Sequence, residues 1–315
     1  MTAPVVTASR CSKWYGHVLG VSDINWTLTG GVIGLLGPNG AGKSTLMKLM
    51  CGLLRPSRGT IAVLGGDPAA DPAVRRRIGY SPEHESTYDE LTGRELVTAL
   101  AHLAGVPRAQ AGAVAVAALE TMGMTQAMDR PIAGYSKGMR QRTKLAATLA
   151  HDPDLLILDE PLTGVDPIAR AEIIDRIRKL AASGKTVVVS SHVLYEIEAL
   201  TQDIVVIYRG QVLAEGNLYE IRRLIDHHPH RIHVECDRPR ELAKALAGAE
   251  HVRRLSLDRR GLTLETTDPD RCYDDVAAAL REHRLELRAM TSPDNNLGAV
   301  FDYLTGAPGG ARAER

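Results

Sequence analysis

The run Gly37-Pro38-Asn39-Gly40-Ala41-Gly42-Lys43-Ser44 has the spacing G-x-x-x-x-G-K-[ST]. Glycines at these positions let backbone N–H groups turn toward one anion, and a helix that starts there adds its positive end. Lys43 is then the residue that reaches the β- and γ-phosphates of a nucleotide. Ser44 is placed to give a hydroxyl to Mg²⁺, with Thr45 beside it. The flanks suit this reading. The apolar run VIGLL enters the loop and STLMKLM leaves it with helical periodicity. The alternative is a glycine-rich turn that matches by chance, which needs neither flank.

A second constellation is Leu155-Leu-Ile-Leu-Asp159-Glu160. A buried strand of this kind delivers its carboxylates at its C-terminal end, where open α/β sheets bind ligands. Asp159 is expected in the Mg²⁺ shell and Glu160 is expected to orient and polarise the attacking water. A third is Tyr135-Ser136-Lys137-Gly138-Met139-Arg-Gln-Arg142. A serine hydroxyl, a glycine amide and a helix N-terminus together make an anion site, and the same Ser136 reads equally well as an N-cap.

Taken in order, these motifs resemble the ATP-binding cassette (ABC) ATPases. Their signature Leu-Ser-Gly-Gly-Gln is matched here at Ser136 and Gly138, while Tyr135, Lys137 and Met139 depart from it. The form YSKGMRQR is similar to that of ATPase subunits of ABC-2-type exporters. The resemblance covers roughly residues 5–216. It implies that Ser136–Met139 close over the γ-phosphate held by an opposite subunit. It implies that Tyr15 stacks on adenine, that Asp166 occupies the D-loop and that His192 contacts the γ-phosphate. Where the family usually carries a glutamine, this sequence has Glu83, with no glutamine between Lys43 and Gln110. A carboxylate there is expected close to the metal or its water.

The elements that must hold these residues are legible as an α/β pattern. Residues 31–36, 155–158, 186–190 and 204–208 read as buried strands of a parallel sheet. Helical patterns fall at 42–52, 167–182 and 193–200, and 92–122 reads as a helical insertion. Together with this pattern, the resemblance implies a P-loop, ABC-type ATPase domain over 1–216, with a parallel sheet core, an antiparallel β subdomain and a helical subdomain. A connector follows at 217–230. An accessory α+β domain spans 231–308 and a tail 309–315. Within the accessory domain the order β-α-β-β-α-β is the ferredoxin-like arrangement. The closing run Asn295–Leu304 is similar to the last helix of exporter subunits, with Phe301, the one phenylalanine, as a core anchor.

Composition narrows the partners. The 315 residues carry 38 basic and 38 acidic side chains, so nothing in the bulk charge favours nucleic acid. Four scattered cysteines form no C-x-x-C pair, which speaks against a zinc site and suits a reducing compartment. His227, His228, His230 and His233 match no standard metal spacing and read as a solvated linker. No apolar run approaches the roughly 18 residues of a membrane helix. The expected protein is a peripheral ATPase on the cytoplasmic face of the membrane, using ATP and Mg²⁺. It is expected to pair head to tail with its own copy and to drive a separate multi-helix permease. A cassette factor acting on ribosomes or DNA is the competing reading. One phosphate loop instead of two, and no long coiled coil or zinc module, weigh against it.

Overall fold

The computed structural model describes residues 3–83, 88–218, 221, 230–258 and 261–292. The chain divides into two compact units, Met1–Asn217 and Leu218–Arg315.

The first unit is built on a six-stranded sheet. Strands β3 (Val32–Leu36), β5 (Ile78–Ser81), β6 (Leu155–Leu158), β7 (Thr186–Ser191), β8 (Asp203–Tyr208) and β9 (Gln211–Asn217) lie in the order β5-β6-β7-β3-β8-β9. The first five are parallel and β9 runs antiparallel along β8. Every residue of β6 and β7 is buried, as an apolar run in a sheet covered on both faces must be. A second sheet, β2-β1-β4, is antiparallel and uses β1 (Val6–Tyr15), β2 (Val18–Leu28) and β4 (Arg58–Val63). Val6, Trp26 and Ile61 of this sheet share one core with Leu46, Met47 and Met50 of helix α1 (Lys43–Met50), and with Ile157 and Val188 of the central strands. A short α2 (Pro72–Arg75) precedes β5.

The insertion expected as one helical stretch is two helices. Helix α3 (Gly93–Leu103) begins at a capping box, in which Thr92 and Glu95 bond each other's backbone. It stops before Gly105, whose φ of +104° no continuing helix tolerates, and Pro107 precedes α4 (Arg108–Thr121). Both pack against α5 (Lys137–Leu149). Helices α6 (Pro167–Ala182) and α7 (Leu194–Glu198) flank β7 in sequence.

The second unit contains β10 (His230–Cys236), α8 (Pro239–Leu246), β11 (Val252–Leu257), β12 (Leu262–Thr266), α9 (Pro269–Glu282) and β13 (Leu287–Thr291). Its sheet order is β11-β12-β10-β13, antiparallel throughout, which is the ferredoxin-like topology. Ile232, Val234, Leu264, Leu242, Leu246 and Val276 form its core. Phe301, the run Asn295–Leu304 and the tail fall outside the described residues, as do His227 and His228.

Candidate nucleotide site

The register of the central sheet assembles the site. Leu36 pairs with Ser191, Leu158 with Val189, and Ser81 with Leu158. The four strands β5, β6, β7 and β3 therefore end at nearly one level, and the residues that follow them meet at the C-terminal edge of the sheet. That edge is where doubly wound folds place their ligands.

After β3 the chain turns through Gly37–Gly42 into α1. Ala41 N–H donates to the Pro38 carbonyl at 3.1 Å, and the Ala41 carbonyl accepts from Gly210 N–H at 2.8 Å. Gly42 caps the helix at φ +109°, and a Cβ there would stand 2.6 Å from the Gly20 carbonyl oxygen. A side chain is thus excluded twice, by backbone angle and by space. Lys43 is buried. Its Nζ donates to the Gly37 carbonyl at 2.6 Å and the Pro38 carbonyl at 3.4 Å, and lies 3.6 Å from Glu160 Oε1. Tyr15, the last residue of β1, leans over the same helix, with its hydroxyl 3.4 Å from Thr45 Oγ1. Its ring is half exposed, with Lys13 Nζ 5.9 Å from its centroid.

Asp159 and Glu160 follow β6 directly and both are buried. Asp159 N–H donates to the Ser81 carbonyl at 2.9 Å. The Ser190 hydroxyl donates to Asp159 Oδ1 at 2.7 Å and accepts from Glu160 N–H at 2.9 Å. Glu160 sits at φ +51°, a left-handed angle that costs a non-glycine residue of order 1 kcal/mol or more. Its side chain is held from three sides. Oε2 meets Thr163 Oγ1 at 3.1 Å and His192 Nδ1 at 2.9 Å. Oε1, which has no hydrogen-bond partner, faces the Lys43 ammonium. His192 itself is 42% exposed at its side chain, so one ring nitrogen is engaged with Glu160 while the ring reaches the surface.

Glu83 lies just beyond β5, exposed, with its carbonyl accepting from Lys144 Nζ at 3.3 Å. Burial first, then the negative charge of Asp159, and then Cys51 and Glu83, push the Tyr80 hydroxyl well above the ordinary phenol range. Asp159 and Glu83 thus act on one neighbour. Burial, and after it Asp159, likewise raises the Cys51 thiol, which stays protonated.

The remaining expected residues form a second group. Ser136 caps α5 by accepting from Met139 N–H at 3.2 Å. Asp166 caps α6 by accepting from Ile168 and Ala169 N–H. The two caps adjoin, because a Cβ on Gly138 would meet Ala169 Cβ at 2.8 Å and Asp166 Oδ2 at 3.7 Å. Lys137 reaches across to Gly164. Among the described residues, no hydrogen bond or ion pair joins Ser136–Met139 or Asp166 to the loop of residues 37–45.

Sequence reasoning missed Ser190, Thr163, Gly20 and Gly210. Only Ser190 carried a signal: the wholly apolar stretch of β7 ends in Ser190-Ser191-His192, and a hydroxyl buried there must find a partner.

The oxygen donors near Lys43 suit a hard cation. Ser44 offers a hydroxyl and Asp159 a buried carboxylate, while no group of three His, Cys, Asp or Glu among the described residues could hold a metal by itself. That donor set fits Mg²⁺, which is normally bound by one or two protein oxygens together with phosphates and water.

A phosphate loop on a parallel sheet, with buried carboxylates at the neighbouring strand end, defines a P-loop nucleoside-triphosphate hydrolase. Known proteins narrow the class. A family model described as ABC transporter matches residues 21–163. The daunorubicin/doxorubicin resistance ATP-binding protein of Streptomyces peucetius is 35% identical over 313 residues, covering 98% of this chain and 94% of its own. The Nod factor export ATP-binding protein I of Sinorhizobium fredii is 36% identical over 310 residues, covering 96% and 86%. A solved ATP-binding subunit of an ABC transporter shares 30% identity at a TM-score of 0.62, covering 70% of this chain and 92% of its own. A dimeric bacterial ABC transporter cassette shares the fold, at a TM-score of 0.61 and 22% identity, covering 68% and 98%. The chain belongs to the ABC transporter family, as an ATP-binding and ATP-hydrolysing subunit of the ABC-2-type exporters.

Proposed function

We propose that this subunit works as a head-to-tail homodimer on the cytoplasmic face of a membrane, closing on ATP and opening after hydrolysis to drive a separate permease. The observation that carries the proposal is the separation of the site into two groups. One group, Gly37, Pro38, Asn39, Gly40, Ala41, Gly42, Lys43, Ser44 and Thr45 with Tyr15, Asp159, Glu160 and His192, takes the adenine and the phosphates. The other, Ser136, Lys137, Gly138 and Met139 with Asp166, presents two helix N-termini that find their phosphate on the second copy. No helix among the described residues is long and apolar enough to cross a membrane. On this reading the permease is a distinct chain.

In the hydrolysis step Glu160 accepts a proton from the attacking water, and Lys43 holds the β- and γ-phosphate oxygens. Nδ1 of His192 is engaged at Glu160 Oε2, so Nε2 is the ring nitrogen that donates an N–H to the γ-phosphate. Ser44 and Asp159, with Glu83 nearby, would hold Mg²⁺, which when bound neutralises charge on the phosphates. None of these roles needs Glu160 to move far, since it is already pinned by Ser190, Thr163 and His192.

Purification of the tagged chain from membranes tests this reading. A multi-helix membrane protein is expected to travel with it, and co-purifying ribosomes or DNA would replace the reading with the soluble-factor alternative. The relatives' names concern daunorubicin/doxorubicin resistance and Nod factor export, which supports export as the task.

Glu83 has its own test. It adjoins a largely apolar cavity of about 360 Å³, lined among others by Tyr80, Pro82, Leu96, Leu100, Ile132 and Lys144. Lys144 is also the residue that holds the Glu83 carbonyl. We assign Glu83 to the metal's surroundings and to sensing the permease. Glu83→Ala is expected to lower permease-stimulated hydrolysis about tenfold, the scale of one charge-assisted contact of roughly 1.4 kcal/mol. Unchanged basal and stimulated rates would remove Glu83 from the site.

A further inference from the structure

Two consecutive serines end β7, and their side chains point to opposite sides of the strand, as alternate strand positions must. Ser190 serves Asp159 and Glu160. Ser191 serves a different set. Its hydroxyl donates to Glu196 Oε2 at 2.8 Å and accepts from Val193 N–H at 2.9 Å. One oxygen therefore fixes the backbone on both sides of His192. Glu196 is buried, with its side chain 2% exposed, and its other oxygen lies 3.3 Å from Arg170 Nε. Arg170, on α6, also donates to the Val165 carbonyl at 3.1 Å and to the Tyr195 hydroxyl, and its guanidinium lies 5.6 Å from the Tyr195 ring centroid. Val165 immediately precedes Asp166.

With Glu196 buried and the Arg170 side chain 23% exposed, this ion pair is a poor device for stability, because the desolvation of the carboxylate offsets the attraction. What such a pair supplies is a fixed direction. Here it runs from the backbone before Asp166, through Arg170 and Glu196, to the backbone around His192. We propose that Arg170 and Glu196 are positioning residues for hydrolysis. They hold the turn that carries Asp166 and the segment that carries His192 in one relation, so that His192 keeps its contact with Glu160 when the second subunit presses on the Asp166 turn. The inference rests on the roles given above to Glu160 and His192.

Glu196→Gln isolates the charge. The amide keeps the size of the side chain and can still accept from Ser191, but it no longer attracts Arg170. The expected result is a kcat about tenfold lower, the scale on which small misplacements of a reacting group act, with KM for ATP and the Kd of a fluorescent ATP analogue within about twofold of native. Ser191→Ala keeps the ion pair and frees the backbone at His192, and should show the same split with a smaller loss of kcat. It carries the test if Glu196→Gln does not fold. A kcat within twofold of native for the folded variants overturns the proposal. So does a proportional fall of kcat and nucleotide affinity, which is what a merely structural role gives. Glu160→Gln measured in parallel separates the two levels of the argument. If it abolishes turnover while Glu196→Gln does not, only the positioning role fails; if neither matters, the reading of the site fails.

Discussion

Glu160→Gln is expected to bind ATP with near-native affinity and to lose at least a hundredfold in turnover. A positioned general base contributes about 10²–10⁴ in rate, and an amide has no comparable basicity. The substitution is chosen because the site is tightly built around this side chain. Glutamine can still accept from the Thr163 hydroxyl and remain beside His192 Nδ1, contacts now made at 3.1 and 2.9 Å. Alanine would instead leave Lys43 Nζ and His192 facing an apolar gap, and the cost of unpartnered buried groups would mix stability with catalysis. The strained backbone at φ +51° is untouched by either change, since it is set by Ser190 and the β6 exit. With ATP bound and hydrolysis slow, the closed dimer should accumulate, so gel filtration with ATP and Mg²⁺ should shift the variant to twice the native monomer mass. Hydrolysis within tenfold of native would remove Glu160 as the base. Slow hydrolysis without an ATP-dependent dimer would leave the base in place and count against the head-to-tail arrangement.

The sequence and the structure agree best where one physical rule decides the matter. β6 and β7 are buried on both faces, so their apolar runs could hardly be anything but central strands. Asp159 and Glu160 were legible for the same reason, since they follow β6, while the phosphate loop was legible from the spacing of its own glycines, lysine and serine. The antiparallel strands β1 and β2 carried no such pattern. β1 changes register between Ala8 and Cys11 and again before Lys13, with Arg10 at φ +46°. Two exposed residues, Ser9 and Arg10, are followed by two buried ones, Cys11 and Ser12, so the alternation a reader looks for is broken by the bulges themselves. The supporting residues were invisible for another reason. Thr163 lies three residues after Glu160 and Ser190 thirty after it, and neither spacing means anything until β6 and β7 are known to be neighbours. Gly20 and Gly210 matter because backbone from β2 and from the β8–β9 turn crosses the loop, a fact of packing that no local motif contains. The network from Arg170 to Ser191 belongs to the same class: each residue is ordinary, and the meaning lies in contacts between α6, α7 and β7.

Lys43→Ala is expected to weaken ATP binding about a hundredfold. The ammonium would make two charge-assisted contacts to phosphate, each worth roughly 1.5–3 kcal/mol, and the loss of about 3 kcal/mol multiplies Kd by roughly that factor. Isothermal titration with ATP and Mg²⁺ reads it directly. The structure adds a second consequence. Lys43 and Glu160 are buried together, with side chains 6% and 5% exposed, and Glu160 Oε1 has no hydrogen-bond partner beside the ammonium at 3.6 Å. Removing Lys43 leaves that buried carboxylate without its cation, so a lower melting temperature is expected alongside the weaker binding. Lys43→Ala combined with Glu160→Gln separates the two effects. The neutral amide removes the stranded charge, so melting should recover while ATP affinity stays low. If affinity recovers together with melting, the weak binding came from disorder in the loop and not from a lost phosphate contact. If the single variant binds ATP as the native chain does, the loop of Gly37–Ser44 does not hold phosphate through its lysine, and Nζ serves the carbonyls of Gly37 and Pro38 and the Glu160 carboxylate instead.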